Sequence, residues 1–170
     1  MNLKDKIADF PNFPKKGILF RDFSPILKDP SALSYVADEF SKHFHPKDID
    51  VFAGIESRGF IIASILASRY NKGMIMIRKV GKLPGKTTKL AYTIEYGKDT
   101  IEIQNDIIKE GEKILICMHG RAMRALLCWL LDYSLRFMEG FPHDNCAYYS
   151  LIQTENTFFI KDFNSGEHLH

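Results

Sequence analysis

The sequence predicts an α/β fold with an open, mostly parallel sheet and flanking helices. The first observation behind this prediction is a set of short apolar runs, each of the length of a buried strand, at residues 50–54, 74–78 and 114–118. The second is that segments with helical periodicity lie between these runs, as in sheets built from strand–helix–strand units. The third is a pair of alternating segments around polar turns, which predicts antiparallel hairpins at 92–104 and 147–163.

The predicted helices follow from local start signals and from the spacing of apolar residues. Residues 2–9 are predicted to form a short N-terminal helix. Asp29 and Pro30 mark the start of a second helix, because an acidic N-cap and a proline in the first turn are both favoured there. Two further helices are expected to begin after the turn at 56–59 and at about Arg121.

Composition places the chain among ordinary globular proteins. Hydrophobic residues make up 45% and charged residues 26% of the 170 residues, which excludes disordered, collagen-like and coiled-coil chains. No apolar run is long enough to span a membrane, and the N-terminus lacks an apolar signal core. The three cysteines have no metal-ligand spacing. We therefore predict a cytoplasmic protein with a single α/β domain over residues 1–170 and no metal site of its own.

Positive charge is concentrated in the first two-thirds of the chain. Residues 1–116 carry 19 Lys and Arg against 15 Asp and Glu, whereas residues 117–170 carry 4 against 6. Between residue 72 and Glu95, six basic side chains occur without an acidic one. Such a stretch is suited to a phosphorylated small molecule or a nucleic acid backbone, and a solvated lysine-rich loop is the alternative. Nucleic acid is the less favoured partner, because no aromatic residues alternate with the lysines.

Three junctions that follow predicted strands carry residues suited to anions, and ligands of open α/β sheets bind at the carboxyl ends of the strands. At 54–59, two glycines and Arg58 precede a helix N-terminus, which supplies amides for an anion. At 78–86, a cationic loop with two glycines is able to close over a polyphosphate. At 118–122, a further helix begins with a His-Gly-Arg sequence. The alternatives are an ordinary tight turn at the first junction, a solvated lysine-rich loop at the second and a structural histidine at the third.

Up to about Ile116 the chain resembles the adenine phosphoribosyltransferases. The resemblance is carried by five segments within the first two-thirds of the chain, residues 10–15, 17–22, 54–60, 78–84 and 94–97. It implies a type I phosphoribosyltransferase-like form of the predicted fold. It also implies transfer of phosphoribosyl from phosphoribosyl pyrophosphate, with Mg2+, to adenine, which gives AMP and pyrophosphate. Members of this family bind small phosphorylated ligands and are commonly homodimers, so the same is expected here.

The resemblance also implies roles for individual residues. Leu19, Phe20 and Arg21 correspond to the segment that holds adenine, partly through backbone hydrogen bonds. Glu95 corresponds to a carboxylate that assists proton handling at the purine, and it is the catalytic residue predicted here. The junction after the first central strand corresponds to the pyrophosphate site, where the family often has a non-proline cis peptide. The residues predicted to bind pyrophosphate are Glu56, Ser57, Arg58, Lys79 and Lys82.

The chain departs from this family after the strand 114–116. Family members place two aspartates and an Ala-Thr-Gly-Gly-Thr loop there, which hold the ribose hydroxyls and the 5′-phosphate, and neither motif follows the strand in this sequence. Residues 117–170 are instead similar to the C-terminal part of the histidine phosphatase (phosphoglycerate mutase-like) superfamily. In that resemblance His119 matches the second histidine of the pocket, but the Arg-His-Gly motif that carries the nucleophile is missing. The residues predicted to bind phosphate at this junction are His119, Gly120, Arg121 and Ala122.

Three functional hypotheses are open for a chain with these two resemblances. The first is a purine phosphoribosyltransferase that is impaired because the acidic pair and the threonine-glycine loop are absent. The second is an inactive chimeric fold that binds nucleotide or phosphate without turnover. The third is a phosphomonoesterase of the histidine phosphatase type that uses His119. The nucleotide hypotheses require residues 54–59 and 119–122 to meet at the carboxyl edge of the sheet.

Overall fold

The computed structural model describes residues 1–42, 44–94, 97–144, 147–155 and 157–165, and for 92–94 and 97–99 the backbone only. The chain divides into two compact units, Met1–Asp48 and Ile49–His170. The two sequence parts, 1–116 and 117–170, therefore meet inside the second unit and not at its boundary.

The first unit begins with a short helix and a hairpin. Leu3–Lys6 forms a 3-10 helix, and β1 (Ala8–Pro11) pairs antiparallel with β2 (Leu19–Asp22). The helix predicted over residues 2–9 is therefore wrong beyond Lys6. Residues 8–11 find their hydrogen-bond partners in a strand further along the chain, which local signals do not reveal.

Two α-helices complete the first unit. They are α1 (Ser24–Lys28) and α2 (Pro30–Ser41), and a 3-10 turn at Pro46–Asp48 follows them. The predicted start of α2 is confirmed, because Asp29 Oδ1 accepts hydrogen bonds from the amides of Ser31 at 2.9 Å and Ala32 at 3.2 Å. The other oxygen of Asp29 lies 2.6 Å from Lys6 Nζ. This contact, followed by the hydrogen bond from Ala32, lowers the pKa of Asp29 and ties the N-terminal segment to α2.

A mixed sheet is the centre of the second unit. Along the chain its elements are β3 (Val51–Ile55), α3 (Arg58–Arg69), β4 (Gly73–Lys79), β5 (Thr87–Ile94), β6 (Gly97–Gln104), β7 (Ile114–Cys117) and α4 (Gly120–Leu130). In space, β3 lies between β4 and β7 and is parallel to both. β6 pairs antiparallel with β4 and with β5. The predicted α/β class is confirmed, and the first predicted hairpin begins earlier than expected, at Thr87.

Helix α3 packs on the sheet through its apolar side. Ala63 and Leu66 are fully buried against β3, whose Phe52 is also fully buried. The ring of Tyr70, at the end of α3, stacks on Phe52 with ring centroids 6.4 Å apart. This packing holds the first residues of α3 at the carboxyl end of β3, which is where the sequence predicts a ligand.

After α4 the chain builds an apolar cluster of its own. A 3-10 helix (Leu135–Gly140) and the hairpin of β8 (Tyr148–Thr154) and β9 (Thr157–Ser165) follow α4, so the second predicted hairpin is confirmed. Side chains of β8 and β9 pack against the buried members of this cluster, which are Met123, Leu127, Cys128, Met138 and Phe141. Among the described residues, no helix has both the length and the apolar character needed to cross a membrane.

Candidate active site

The loop between β3 and α3 is held in place by the carboxylate of Glu56. Its two oxygens accept hydrogen bonds from Arg78 Nε at 3.2 Å and Arg78 Nη2 at 3.3 Å, and the amide of Lys79 donates at 3.0 Å. These bonds, Arg78 first, hold the pKa of Glu56 below its usual value. The Glu56–Ser57 peptide bond is cis, as the resemblance implies. Glu56 therefore joins this loop to the end of β4 twice, through its carboxylate and through its amide, which donates to the carbonyl of Ile77 at 3.0 Å.

Two glycines allow the beginning of α3 to lie against the end of β7. A Cβ on Gly59 would lie 2.3 Å from the carbonyl oxygen of Cys117, and a Cβ on Gly54 would lie 2.7 Å from the backbone of Gly59. Neither position accepts a larger residue, because the opposing atoms are backbone. Ser57 is the N-cap of α3 and makes no side-chain capping hydrogen bond. The structure thus brings the predicted segment 54–59 to the end of β7.

Helix α4 begins at the same edge, directly after β7. His119 is its N-cap residue, with an extended backbone (φ −84°, ψ 150°) and no side-chain capping hydrogen bond. The predicted phosphate residues Gly120, Arg121 and Ala122 are the first three of α4, and amides at these positions have no carbonyl within the helix to bind. Partial burial and the positive charge of Arg58 lower the pKa of His119. The starts of α3 and α4 lie at the same end of β7, because Gly59 of α3 lies against the carbonyl of Cys117, two residues before His119.

A second histidine, His143, lies against the first residue of α4. A Cβ on Gly120 would lie 1.9 Å from His143 Cδ2 and 2.7 Å from His143 Nε2, so glycine makes room for the imidazole. Burial, Arg124 and His119 lower the pKa of His143, while Asp144 opposes them. The loop is held by Asp144, which exchanges hydrogen bonds with Asn164 at 3.1 and 2.9 Å. No local motif marks His143, and only the contact with Gly120, distant in sequence, reveals it.

Two arginines of α4 share the carboxylate of Glu139. Arg124 Nη1 lies 2.6 Å from Glu139 Oε2, and Arg121 Nη2 lies 4.0 Å from Glu139 Oε1. The Arg121 side chain is 39% exposed and that of Arg124 is 25% exposed. Glu139 therefore offsets part of the positive charge at the start of α4, and Arg121 keeps the more accessible guanidinium.

The cationic loop after β4 is folded over a buried carboxylate of β6. Glu102, which is 3% exposed, accepts hydrogen bonds from the amides of Gly81, Lys82 and Leu83 at 2.8, 3.1 and 3.2 Å. The predicted pyrophosphate residues Lys79 and Lys82 are both exposed on this loop. No sequence signal marks Glu102, since a carboxylate in an alternating strand is usually solvated.

The predicted adenine segment lies in the first unit, on β2. The ring of Phe20 meets Phe13 edge to face with centroids 5.2 Å apart, and Leu19 is 49% exposed. Arg21 Nε lies 4.0 Å from Asp9 Oδ1, and both side chains are more than half exposed. β1 and β2 form a two-stranded sheet, so the outer edge of β2 is not covered by another strand among the described residues.

The predicted catalytic residue Glu95 lies outside the described residues, so its role stays a prediction. In the part of the chain that the structure describes, no group of three or more His, Cys, Asp or Glu side chains is arranged to hold a metal. The carboxylates around the two junctions and the cationic loop are already used by protein donors: Glu56 by Arg78, Glu102 by loop amides and Glu139 by Arg124. These residues do not fit a resident Mg2+.

An open groove of about 390 Å³ lies after α4, lined by Tyr133, Arg136, Phe137, Gly140 and Phe141. The Arg136 guanidinium stands 4.9 Å from the centroid of the Phe137 ring. None of the predicted site residues lines this groove, so it is separate from the two junctions.

A mixed α/β sheet with ligand-type junctions after β3 and β7, and a cationic loop after β4, defines a phosphoribosyltransferase-like protein. The chain belongs to the adenine phosphoribosyltransferase family. It is 81% identical to the adenine phosphoribosyltransferase of Nitrosopumilus maritimus over 117 residues, which is 69% of each chain. It is 44% identical to that of Bdellovibrio bacteriovorus over 167 residues, covering 90% of this chain and 99% of the relative.

Solved structures of the same family match the fold. The enzyme of Saccharomyces cerevisiae, in complex with adenine and an imino-altritol bisphosphate, has a TM-score of 0.62 and 41% identity, covering 67% of each chain. That of Thermoanaerobacter pseudethanolicus has a TM-score of 0.66 and 36% identity, covering 76% of this chain and 77% of the other. The predicted type I phosphoribosyltransferase-like fold is confirmed.

The C-terminal resemblance is confirmed as well. Residues 101–166 match the histidine phosphatase superfamily (branch 1). The match begins earlier than the predicted position 117, because it includes the second half of β6 and all of β7. The two similarities therefore overlap across the strand that leads into α4.

Proposed function

We propose that this protein is an adenine phosphoribosyltransferase of reduced activity, which transfers phosphoribosyl from phosphoribosyl pyrophosphate to adenine and releases pyrophosphate. The observation that carries the proposal is the preserved junction after β3, where Glu56 and Arg78 hold the loop that leads into Arg58 and α3. The high identity to the Nitrosopumilus maritimus relative and the adenine-bound yeast enzyme support adenine as the base.

In the proposed reaction the bond from C1′ of the ribose to pyrophosphate breaks and a bond from C1′ to the purine nitrogen forms. Negative charge accumulates on the departing pyrophosphate, and Arg58, Lys79 and Lys82 would stabilise it. Electrostatic stabilisation of this kind is commonly the largest contribution to such catalysis. Leu19, Phe20 and Arg21 would hold adenine, and Glu95 would handle the proton that leaves the purine.

The 5′-phosphate would bind at the start of α4. The amides of Gly120, Arg121 and Ala122 lie in the first turn, and His119 and Arg58 share its electrostatic environment. Ribose recognition is what the chain lacks, because the residues that follow β7 are Met118 and His119 instead of acids. Met118 packs against the apolar cluster of α4 and cannot hold ribose hydroxyls. Since a hydrogen bond to a charged group contributes about 1.5–3 kcal/mol, losing the acidic pair costs several kcal/mol of cosubstrate binding.

Mg2+ enters this proposal as part of the substrate. The described carboxylates near the site already accept protein hydrogen bonds, so the ion would arrive bound to the phosphates of phosphoribosyl pyrophosphate. Mg2+ is commonly held in this way, with few protein ligands.

The second candidate is a fold that binds nucleotide or phosphate without turnover. The start of α4 favours it, because His119 is the N-cap residue and His143 lies against Gly120, beside amides suited to an anion. A phosphomonoesterase using His119 is the weakest candidate, since the sequence has no Arg-His-Gly motif to accept the phosphoryl group.

Isothermal titration with adenine, AMP and Mg2+-phosphoribosyl pyrophosphate, combined with an assay of AMP formation, tests the proposal. We expect binding of the cosubstrate and slow formation of AMP. Arg58→Ala should weaken cosubstrate binding about tenfold or more, since it removes a charged donor. Lys109→Ala, an exposed lysine away from the three junctions, should leave it unchanged.

Each failure has a different meaning. No binding of any of the three ligands would end the proposal. Binding of AMP without any formation of AMP would establish the inactive fold. Hydrolysis of an aryl phosphate that disappears in His119→Ala would establish the phosphomonoesterase.

We further propose that the protein is a homodimer in a reducing compartment such as the cytoplasm. The proposal of a dimer rests on the family resemblance. Sedimentation velocity tests it, and a monomer at micromolar concentration would contradict it. The compartment rests on the cysteines, because Cys117 and Cys128 are buried free thiols. Burial raises the pKa of Cys117 to about 12, which keeps it unreactive.

A further inference from the structure

The cationic loop after β4 depends on one side chain that the proposed reaction does not otherwise use. Glu102 Oε1 accepts hydrogen bonds from three consecutive amides, those of Gly81, Lys82 and Leu83. Its other oxygen accepts from the Thr87 hydroxyl at 2.9 Å. Among the described residues of this sheet, Glu102 is the buried charged residue, and it is 3% exposed. One carboxylate thus satisfies four donors of the loop and its flanking strand.

Three converging amides form the kind of backbone concavity that binds anions. The turn needs Gly81, whose φ of +83° lies in the left-handed region. Burial raises the pKa of Glu102, but the bonds from Thr87 and the three amides outweigh it, so the pKa is below its usual value. The carboxylate is therefore ionised at neutral pH, and hydrogen bonds to an ionised acceptor are stronger than neutral ones.

A second contact joins the same loop to the junction after β3. Arg78, whose guanidinium binds Glu56, also donates from Nη1 to the carbonyl of Lys82 at 3.4 Å. In the strand register, Arg78 is paired with Glu102 itself. The backbone of Lys82 is consequently held on one side by Glu102 and on the other by Arg78.

We propose that Glu102 is a positioning residue for pyrophosphate recognition: it holds the backbone of residues 81–83 so that Lys79 and Lys82 are presented to the leaving group from an ordered loop. The expected effect on the KM for phosphoribosyl pyrophosphate rests on the proposed transferase function. The expected effect on the order of the loop rests on the contacts alone. Without the carboxylate, three amides lose their acceptor and the lysines lose their fixed positions.

Four variants test the proposal. Glu102→Ala removes the acceptor, and Glu102→Gln keeps one oxygen for the amides but removes the charge. Thr87→Val removes only the hydroxyl contact. The matched control is Ile101→Ala, which shortens a buried neighbour on β6 whose side chain points to the opposite face of the strand.

The first measurement is limited trypsin digestion of the folded, ligand-free protein, with cleavage after Lys79, Lys82 and Lys86 identified by mass spectrometry. We expect cleavage in this loop to accelerate about tenfold or more in Glu102→Ala and less in Glu102→Gln. Ile101→Ala should accelerate cleavage throughout the chain in proportion to its lower stability, with no preference for the loop. Where Glu102→Ala does not fold, Glu102→Gln and Thr87→Val carry the same comparison.

The second measurement is kinetic. The KM for phosphoribosyl pyrophosphate should rise about tenfold in Glu102→Ala, while the KM for adenine stays within about twofold of wild type. Glu102→Gln should recover part of the loss, which a purely structural role would not predict.

The two measurements separate the inference from the proposed function. Loop cleavage at the wild-type rate in Glu102→Ala and Glu102→Gln, or equal acceleration in Ile101→Ala, would overturn the role of Glu102 even in an active enzyme. Faster loop cleavage in a protein without any turnover would overturn the transferase function and leave Glu102 as the residue that orders the loop.

Discussion

Replacing Gly59 by alanine tests the contact that brings the two ligand junctions together. The new Cβ would lie 2.3 Å from the carbonyl oxygen of Cys117. An ordinary carbon–oxygen contact is about 1 Å longer, and the opposing atom is backbone, so the start of α3 must move away from β7 by about that distance. Overpacking of this kind costs about 1–3 kcal/mol. The better helix propensity of alanine, at most about 1 kcal/mol, does not offset it.

Thermal unfolding measured by circular dichroism provides the test. A loss of 1 kcal/mol lowers the Tm by about 2–4 °C in a domain of this size, so a cost of about 1–3 kcal/mol should lower the Tm of Gly59→Ala by about 2–12 °C. The stabilisation that pyrophosphate or phosphate confers should also shrink, since Arg58 moves relative to His119. The matched control is Gly73→Ala, whose Cβ would meet Val51 at an ordinary 3.7 Å and which should leave the Tm nearly unchanged. A Gly59→Ala protein that melts at or above the wild-type Tm would refute the close approach of α3 and β7.

The remaining predictions concern the start of α4 and the loop after β3. His119→Asp should raise the free energy of unfolding by about 1 kcal/mol, because aspartate caps a helix that histidine leaves uncapped. The same substitution should weaken phosphate binding, because it adds a negative charge. Urea unfolding and phosphate titration measure the two effects, and tighter phosphate binding would contradict the prediction. Stability should fall as the pH drops through and below the ordinary histidine pKa of 6.5, because the lowered pKa values of His119 and His143 mean that the unfolded chain binds more protons there. Urea midpoints from pH 7.5 to about 5 should show this slope, with a smaller one in His143→Gln, and an unchanged slope in that variant would count against His143 as its source. Arg78→Met should destabilise the fold by about 1–2 kcal/mol through the loss of its bonds to Glu56 and should weaken pyrophosphate binding, whereas unchanged calorimetric binding would mean that this pair does not shape the site.

Local pattern is sufficient to predict most of the second unit. The apolar runs that form β3, β4 and β7 and the turns of the two hairpins are encoded within short windows, so these elements are predicted close to their observed places. The exception is the start of β5, which lies at Thr87 and not at residue 92. The start of α2 is equally predictable, because Asp29 caps the helix within its own turn. The strand at residues 8–11 escapes prediction, because its partner β2 is separated from it by a turn without clear periodicity.

The site is predicted less completely, and the missing residues share one physical property. Both contact partners that are distant in sequence. Glu102 accepts hydrogen bonds from the amides of residues 81–83, and His143 lies against Gly120. Nothing in their own neighbourhood distinguishes them from a solvated strand carboxylate and a loop histidine. The close backbone approach at Gly54 and Gly59, in contrast, is predictable from sequence, because glycines that flank a strand-to-helix turn indicate it directly.

The two resemblances meet in a strand whose requirements are almost entirely backbone requirements. β7 pairs with β3 through main-chain hydrogen bonds, and the contact with Gly59 uses the carbonyl of Cys117, which any residue supplies. A segment placed after β7 therefore needs only to begin a helix and to bury that helix against apolar side chains, and α4 with its own apolar cluster satisfies both needs. In the proposed function, ribose binding is a side-chain requirement, and the resemblance assigns it to the residues after the strand. There Met118 packs against the apolar cluster of α4, and His119 is the N-cap residue of α4. The backbone architecture is therefore continuous across this strand, and the proposed loss of activity concerns only the side chains that follow it.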